Sequence, residues 1–283
     1  MATVDIRRVA EIIRDVAVTE ILPRWRNLAD GDISHKSKPG DLVTVADRAA
    51  ETQLERRLGA LLPGSVVIGE EAVFAKPEIM ERFSSGDAVW VVDPIDGTRA
   101  FTEGRPTFDV LVALVQNGRG VAGWIYAPAE DDFYLGEVGG GVEREIAGAE
   151  PVPLRAPQRQ GLSELHGVIN PRVLRERGAT NAEQVVGQLR GHTPLTCAGH
   201  NYARILRGDS DFLINFSTLP WDHYPGLTLA AAGGWHAARH DGRPFAPLEP
   251  KGGILVAPDP RIWEKLRAAF IPPAIGLDAG IHV

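Results

Sequence analysis

Cysteine is almost absent from this chain of 283 residues. Cys197 stands alone, so no intrachain disulfide can form and none of the paired-cysteine zinc spacings occurs. His200 lies three residues beyond it, where a catalytic thiol would need an acid–base partner, but a lone cysteine reads first as buried apolar filler. An excess of positive charge is missing as well. The 30 Lys and Arg stand against 37 Asp and Glu, a formal net charge of -7. That argues against a nucleic-acid backbone as the main partner. No apolar run is long enough to cross a membrane. The opening "MATVDIRRVAEIIRDVAVTEIL" is amphipathic with mixed charges and has neither the apolar stretch nor the small-residue cleavage site of a signal peptide, so cytoplasmic residence is the expectation. Internal repeats and low-complexity segments are absent too. With 44% hydrophobic residues, the chain has material for a substantial core, in one large domain or two subdomains.

Val9, Ile12, Ile13, Val16 and Ile21 recur at helical spacing near the start. A polar loop, "ADGDISHKSKPGD", leads to a second helix expected from about Val45 to Leu62, ended by Pro63-Gly64. "SVVIGEE" and "AVWVVDP" read as short buried strands that end in acids. The stretch from Thr107 to Glu143 reads as antiparallel strands, with turns at Asn117-Gly118 and Pro128. Within it, the glycines of "GEVGGGV" (136–142) read as a turn between strands rather than a dinucleotide loop. After about residue 150 the rhythm changes. "LHGVIN", "DFLINF" and "GGILVAP" look like strands, while "AGHNYARILRG", "DHYPGLTLAAAGG" and "DPRIWEKLRAAF" look like helices. The expected division is an α+β subdomain over 1–150 and an α/β subdomain over 151–283.

The acids cluster at element ends. Asp41 and Asp47 lie in "DLVTVAD", Glu70 and Glu71 end "VVIGEE", Asp93 and Asp96 end "WVVDPID", and Asp222 opens "DHYPG". Singly, Asp47 reads as a solvated first-turn acid, Asp222 as an ordinary N-cap, and Glu70-Glu71 as a polar strand exit. Asp93 and Asp96 resist such a reading. Residues three apart on a strand face opposite sides, so the chain must turn through Pro94-Ile95 for both carboxylates to converge. Two unit charges ~4 Å apart repel by about 4 kcal/mol at an effective dielectric of ~20. Either one carboxylate takes up a proton or a cation sits between them, and an all-oxygen donor set suits Mg²⁺. Gly97 lets the backbone approach a ligand, its N–H and that of Thr98 open the next turn as a phosphate seat, and Thr98 adds a hydroxyl.

The motifs "DLVTVAD", "GEE", "WVVDPIDGT" and "WDHYPG", in this order, resemble those of the inositol monophosphatase-like family of Mg²⁺-dependent, lithium-sensitive phosphatases. The resemblance runs from about Val9 to about Pro258. It implies a layered αβαβα sandwich, of mixed α+β and α/β character, and a homodimer. It implies that Glu70, Asp93 and the carbonyl of Ile95 hold one Mg²⁺, that Asp93, Asp96 and Asp222 hold a second, and that a weaker third ion lies near Glu70. Thr98 and Asp47, together with Glu70, would serve the attacking water. The Gly97 and Thr98 N–H groups would hold the phosphate, and Li⁺ would inhibit through the Asp222 site.

The second half departs from the best-known pattern. Asn215 stands where inositol-specific members carry a glutamate seven residues before the last metal aspartate. Gly199 and the bulky His200 occupy a segment where small residues are common, and His223-Tyr224-Pro225 stand where two alanines often do. Gly199, His200, Asn215 and His223 are therefore the substrate-binding candidates. Pro225 is expected in a first helical turn, where it is tolerated. Lys36 is either an organiser of a flap over the metals or a solvated loop lysine. His236 and His240 lack the rest of a zinc motif, and Trp90 and Trp221 read as core. The expected partner is a small phosphate ester such as inositol 1-phosphate, with histidinol phosphate, a sugar bisphosphate or a 3',5'-bisphosphonucleotide as rivals. The rival from another class is a macromolecule-binding protein on the same fold. The intact set of acids argues against it.

Overall fold

The computed structural model describes residues 4–36, 41–170, 180–249 and 252–271. Helix α1 (Ile6–Val16) starts where Asp5 Oδ1 accepts from the Arg7 and Arg8 N–H groups. It continues into a wider π-type turn over Ala17–Ile21. That turn explains the break in apolar spacing. Val9, Ile12, Ile13 and Val16 keep the α-helical phase, and the extra residue per turn brings Ile21, rather than Glu20, onto the buried face. A short hairpin, β1 (Ile33–His35) and β2 (Leu42–Thr44), leads into α2 (Val45–Leu61).

Next come β3 (Val66–Gly69), the short helix α3 (Glu70–Ala75), β4 (Val89–Asp96) and α4 (Thr98–Thr102). The strands β5 (Asp109–Gln116), β6 (Arg119–Ala127), β7 (Asp132–Glu137), β8 (Gly141–Ile146) and β9 (Val152–Leu154) follow. These form a seven-stranded sheet in sequential order, with β3 and β4 parallel and every later pair antiparallel. The β5–β6 turn has positive φ at both Asn117 and Gly118, as this dipeptide favours. Strand β5 is apolar almost throughout because both its faces are covered. Val110, Val112 and Leu114 pack against α1 and α2, and Leu111 packs in the layer beyond.

The second half supplies β10 (His166–Ile169), α5 (Thr180–Val186), β11 (Gly191–Pro194), α6 (Ala198–Arg207), β12 (Phe212–Asn215), α7 (Pro220–Ala232), β13 (His236–Arg239), β14 (Ile254–Ala257) and α8 (Pro260–Phe270). Its five strands order as β11-β10-β12-β14-β13, with β10 parallel to both β11 and β12. Tyr202 of α6 and Leu227 and Leu229 of α7 share one core with Leu111, Ile125 and Tyr134 of the large sheet and Leu213, Ile254 and Val256 of the small one. Ile262, Trp263 and Leu266 of α8 cover the far face of the small sheet. The layers are therefore α, β, α, β, α, as expected.

Five strands were not legible: β1, β2 and β9, of three residues each, and β11 and β13. β11, "GHTP", is short and polar and closes an edge. β13 carries His236 and the residues up to His240 along extended backbone, not a helix. His236 stacks edge-on to Trp263, whereas His240 packs on Phe216, so the pair does not form a zinc face. α7 also begins two residues earlier than expected. Asp222 is its third residue, and Pro225 its sixth, beyond the first turn. The missing Pro225 N–H therefore leaves the Trp221 carbonyl without its i+4 donor.

Candidate active site

The acids gather where β3 and β4 end and where α2 and α7 begin. Between Asp93 and Asp96 the β4–β5 register slips: Asp93 pairs with Leu111, and Asp96 pairs with Asp109. Three steps on β4 thus match two on β5. This β-bulge is the turn that Pro94-Ile95 required, and it sets two acids three apart on one side. Asp93 and Asp96 are buried, and both feel the charge of Glu70. Burial, then the charges of Glu70, Asp96 and Asp222, hold the Asp93 carboxyl well above the usual carboxylate range. Asp222 is raised for the same reasons, burial first and then Asp96 and Glu70. Burial and the neighbouring Asp109 push Asp96 up to about 7, against the pull of the Gly199 N–H, which donates to Asp96 Oδ2 at 2.6 Å. Repulsion on this scale, among donors that are all oxygen, is the environment that a hard divalent cation relieves.

Asp47 is not a solvated first-turn acid. It is 1% exposed, and its Oδ2 accepts from the Thr44 N–H at 2.8 Å and the Thr44 hydroxyl at 2.5 Å in a capping box that starts α2. Its other oxygen, Oδ1, lies 3.3 Å from Thr98 Oγ1, and that hydroxyl is 3.1 Å from the Ile95 carbonyl. Burial pushes Asp47 up to about 6.

Gly97 links the bulge to α4 with φ 91°. A Cβ there would stand 2.8 Å from the Thr107 carbonyl, so both strain and contact demand glycine. Gly97→Ala should cost on the order of 1–3 kcal/mol of unfolding free energy, read as a lower denaturant midpoint at unchanged slope.

Lys36 is buried rather than solvated. Its ammonium lies 2.5 Å from Glu70 Oε1 and 2.6 Å from Glu71 Oε1. Burial works against its charge, but the two carboxylates outweigh it and hold the group protonated. A cation beside Glu70 is thus already part of this arrangement. The Asp41 carbonyl accepts from the Lys36 N–H at 2.8 Å and so steadies the hairpin; residues 37–40 lie outside the described set.

The substrate candidates divide. Gly199 adjoins Asp96 through its N–H, and a Cβ there would come within 2.6 Å of Asp109. His200 is partly exposed, and its Nδ1 is 2.5 Å from Asp109 Oδ2. Asn215 uses Oδ1 to accept from Phe216 N–H at 2.8 Å and Ser217 N–H at 3.3 Å, a local turn lock at the end of β12. His223 does not reach the cleft. It is fully buried between the rings of Tyr202 and Phe245, with the Tyr202 hydroxyl 3.0 Å from Nδ1, and burial drops it to about 3, so it is neutral. Its position directly after Asp222 suggested substrate, but on α7 it faces the core. Trp90 and Trp221 are core residues, as expected.

Two acids escaped sequence reading. Glu51 stands one turn after Asp47 on the same helix face and accepts from the Glu71 and Ala72 N–H groups at 2.9 and 2.8 Å, seating the start of α3. Asp109 opens the otherwise apolar run of β5, and that lone charge was the available signal.

Comparison with known proteins decides the lineage. The model of the inositol monophosphatase family matches residues 5–272. This chain belongs to the inositol monophosphatase family. It is therefore of a family of phosphatases, phosphoric monoester hydrolases. The chain is 31% identical over 240 residues to the inositol-1-monophosphatase of Rhizobium meliloti, an alignment covering 83% of this chain and 85% of that one. It is 28% identical over 203 residues to the fructose-1,6-bisphosphatase/inositol-1-monophosphatase of Thermotoga maritima, covering 72% and 73%. The crystal structure of inositol monophosphatase II from Staphylococcus aureus superposes with a TM-score of 0.76 at 22% identity, over 94% of this chain and 93% of that one, and shows the shared fold. Among the described residues no helix is long and apolar enough to cross a membrane.

Proposed function

We propose that this member of the inositol monophosphatase family hydrolyses a small phosphate monoester, inositol 1-phosphate-like, with the help of Mg²⁺. The observation that carries this reading is the convergence of Asp93, Asp96 and Asp222 around Glu70, whose charge raises all three, beside a Thr98–Asp47 pair 3.3 Å apart. The donors fit the ion. Glu70, Asp93, the Ile95 carbonyl, Asp96 and Asp222 are hard oxygens only and would hold two or three Mg²⁺. When bound, Mg²⁺ supplies charge neutralisation for an anionic substrate in an acidic cleft and a lowered pKa for water.

The chain's own groups do the rest. Thr98 Oγ1 accepts a proton from the attacking water as it donates its own toward Asp47 Oδ1. Asp47 is fixed for this by the two Thr44 hydrogen bonds on its other oxygen. The backbone N–H groups of Gly97 and Thr98 hold the phosphate, and Gly199 and His200 meet the remainder of the substrate. Homodimerisation, cytoplasmic residence and inhibition by Li⁺ at the Asp222 site accompany this reading.

A second substrate class has support of its own. The Thermotoga maritima relative carries fructose-1,6-bisphosphatase in its name, and Asn215 leaves no carboxylate for a ring hydroxyl. The test is phosphate release with Mg²⁺ over inositol 1-phosphate, fructose 1,6-bisphosphate, histidinol phosphate and a 3',5'-bisphosphonucleotide. Turnover of at least one, with inositol 1-phosphate not far above the rest, is expected. Hydrolysis of none would end the reading, and a strong preference for inositol 1-phosphate would remove the selectivity role of Asn215.

A further inference from the structure

At the start of α6, three side chains of unlike chemistry lie against one another. His200 Nδ1 is 2.5 Å from Asp109 Oδ2, and Cys197 Sγ is 3.4 Å from the same oxygen. One donor atom from each falls within 4.8 Å of the other two. Asp109 is fully buried, yet its second oxygen, Oδ1, has no hydrogen-bond partner among the described residues. The phosphatase reading uses neither the thiol nor this carboxylate. We propose that Cys197, His200 and Asp109 form a second cation site, which shares His200 with the substrate pocket and takes a divalent cation of borderline softness, of the Zn²⁺ class.

The donor set carries the choice of ion. Thiolate, imidazole and carboxylate together suit Zn²⁺ and run against the preferences of Mg²⁺, which favours oxygen alone. Charge closes as well. One thiolate and one carboxylate neutralise one divalent cation, whereas the same two anions without it would be buried side by side. The proton lost by Cys197 on binding passes to solvent. The unpartnered Asp109 oxygen gains a partner if the carboxylate binds through both atoms.

The scaffold is rigid where it matters. Cys197 is the N-cap residue of α6, His200 lies in its first turn, and Asp109 is the first residue of β5. Zinc–donor bonds of about 2.0–2.3 Å place donors roughly 3.3–3.8 Å apart. The Cys197–Asp109 contact already meets that spacing, the His200–Asp109 contact must open by about 1 Å, and Cys197 and His200 start within 4.8 Å of each other. The His200 side chain is 19% exposed, which leaves a face open to a fourth ligand, as in sites with three protein donors.

Cobalt(II) is the probe, because a thiolate bound to it gives a near-ultraviolet charge-transfer band that oxygen donors cannot give. Titration of the full chain under saturating Mg²⁺ should develop this band to one equivalent per chain, and Zn²⁺ should displace it. Cys197→Ser should lose the band. His200→Ala and Asp109→Asn should weaken binding by about tenfold or more. Asp222→Asn, which alters the oxygen-only cluster, should keep the band, so failure of this site and failure of the Mg²⁺ reading are told apart. No band in the wild-type chain at stoichiometric Co²⁺, or an undiminished band in Cys197→Ser, would overturn the proposal and leave Asp109 as the residue that orients His200.

Discussion

Thr98→Val should lower kcat by roughly 10²–10⁴ while KM stays close to the wild-type value. Valine keeps the β-branched shape and the backbone N–H and deletes only the hydroxyl that lies 3.3 Å from Asp47 Oδ1. Ground-state phosphate binding rests on the Gly97 and Thr98 N–H groups and survives. The interaction removed is one made as the water loses its proton, so the loss falls on the chemical step. Asp47→Asn should show a defect of the same size, because Asp47 acts through Thr98. The double variant should be little worse than either single, as for residues that work as a unit. Additive losses would show that the two act independently and would remove the relay. Since Asp47 also caps α2, its variant needs a stability control. Thr98→Val does not touch the cap and carries the test alone if Asp47→Asn unfolds.

Asp96→Asn should separate function from folding. It removes a ligand charge while keeping an oxygen to accept the Gly199 N–H. Metal affinity and turnover should fall by more than the roughly 10–100-fold that outer-shell changes cost. Without metal, the fold should gain. Burial and Asp109 push the Asp96 carboxyl up to about 7, so the folded state binds a proton more tightly than the unfolded chain does. The sign follows. Between about pH 4 and pH 7 the folded chain holds more protons, and metal-free stability drops as pH rises through that window. The loss is on the order of 4 kcal/mol for a shift of this size. The asparagine amide cannot titrate, so the variant should be the more stable of the two at pH 7 in chelator and nearly equal at pH 4. Denaturant midpoints at the two pH values measure this. An unchanged Mg²⁺ requirement and rate would show that Asp96 is not a ligand.

The acidic motifs and the layered fold were legible because both are written locally. Asp93-Pro-Ile-Asp needs a turn, and the bulge supplied it. Asn117-Gly118 names its own hairpin, and the breaks in apolar spacing mark the helices. What sequence could not show depends on which face of an element meets which layer. His223 follows a cluster acid directly, yet one helical step turns it into the core. Lys36 could be a flap organiser or a solvated loop lysine by sequence, and the hairpin sets it between Glu70 and Glu71. Asn215 is a selectivity candidate by its place in the motif, and that its oxygen is engaged by its own turn shows only in the fold. Asp109 and His200 are 91 residues apart and meet only because β5 runs beside the start of α6.

Phosphate release by the wild-type chain, from whichever ester it turns over, measured before and after removal of divalent ions with a chelator, is the most direct test that the acidic cluster works as a divalent-cation site. Activity should vanish in chelator and return when excess Mg²⁺ is added. Full activity in chelator would contradict the assignment of Glu70, Asp93, Asp96 and Asp222 as its ligands.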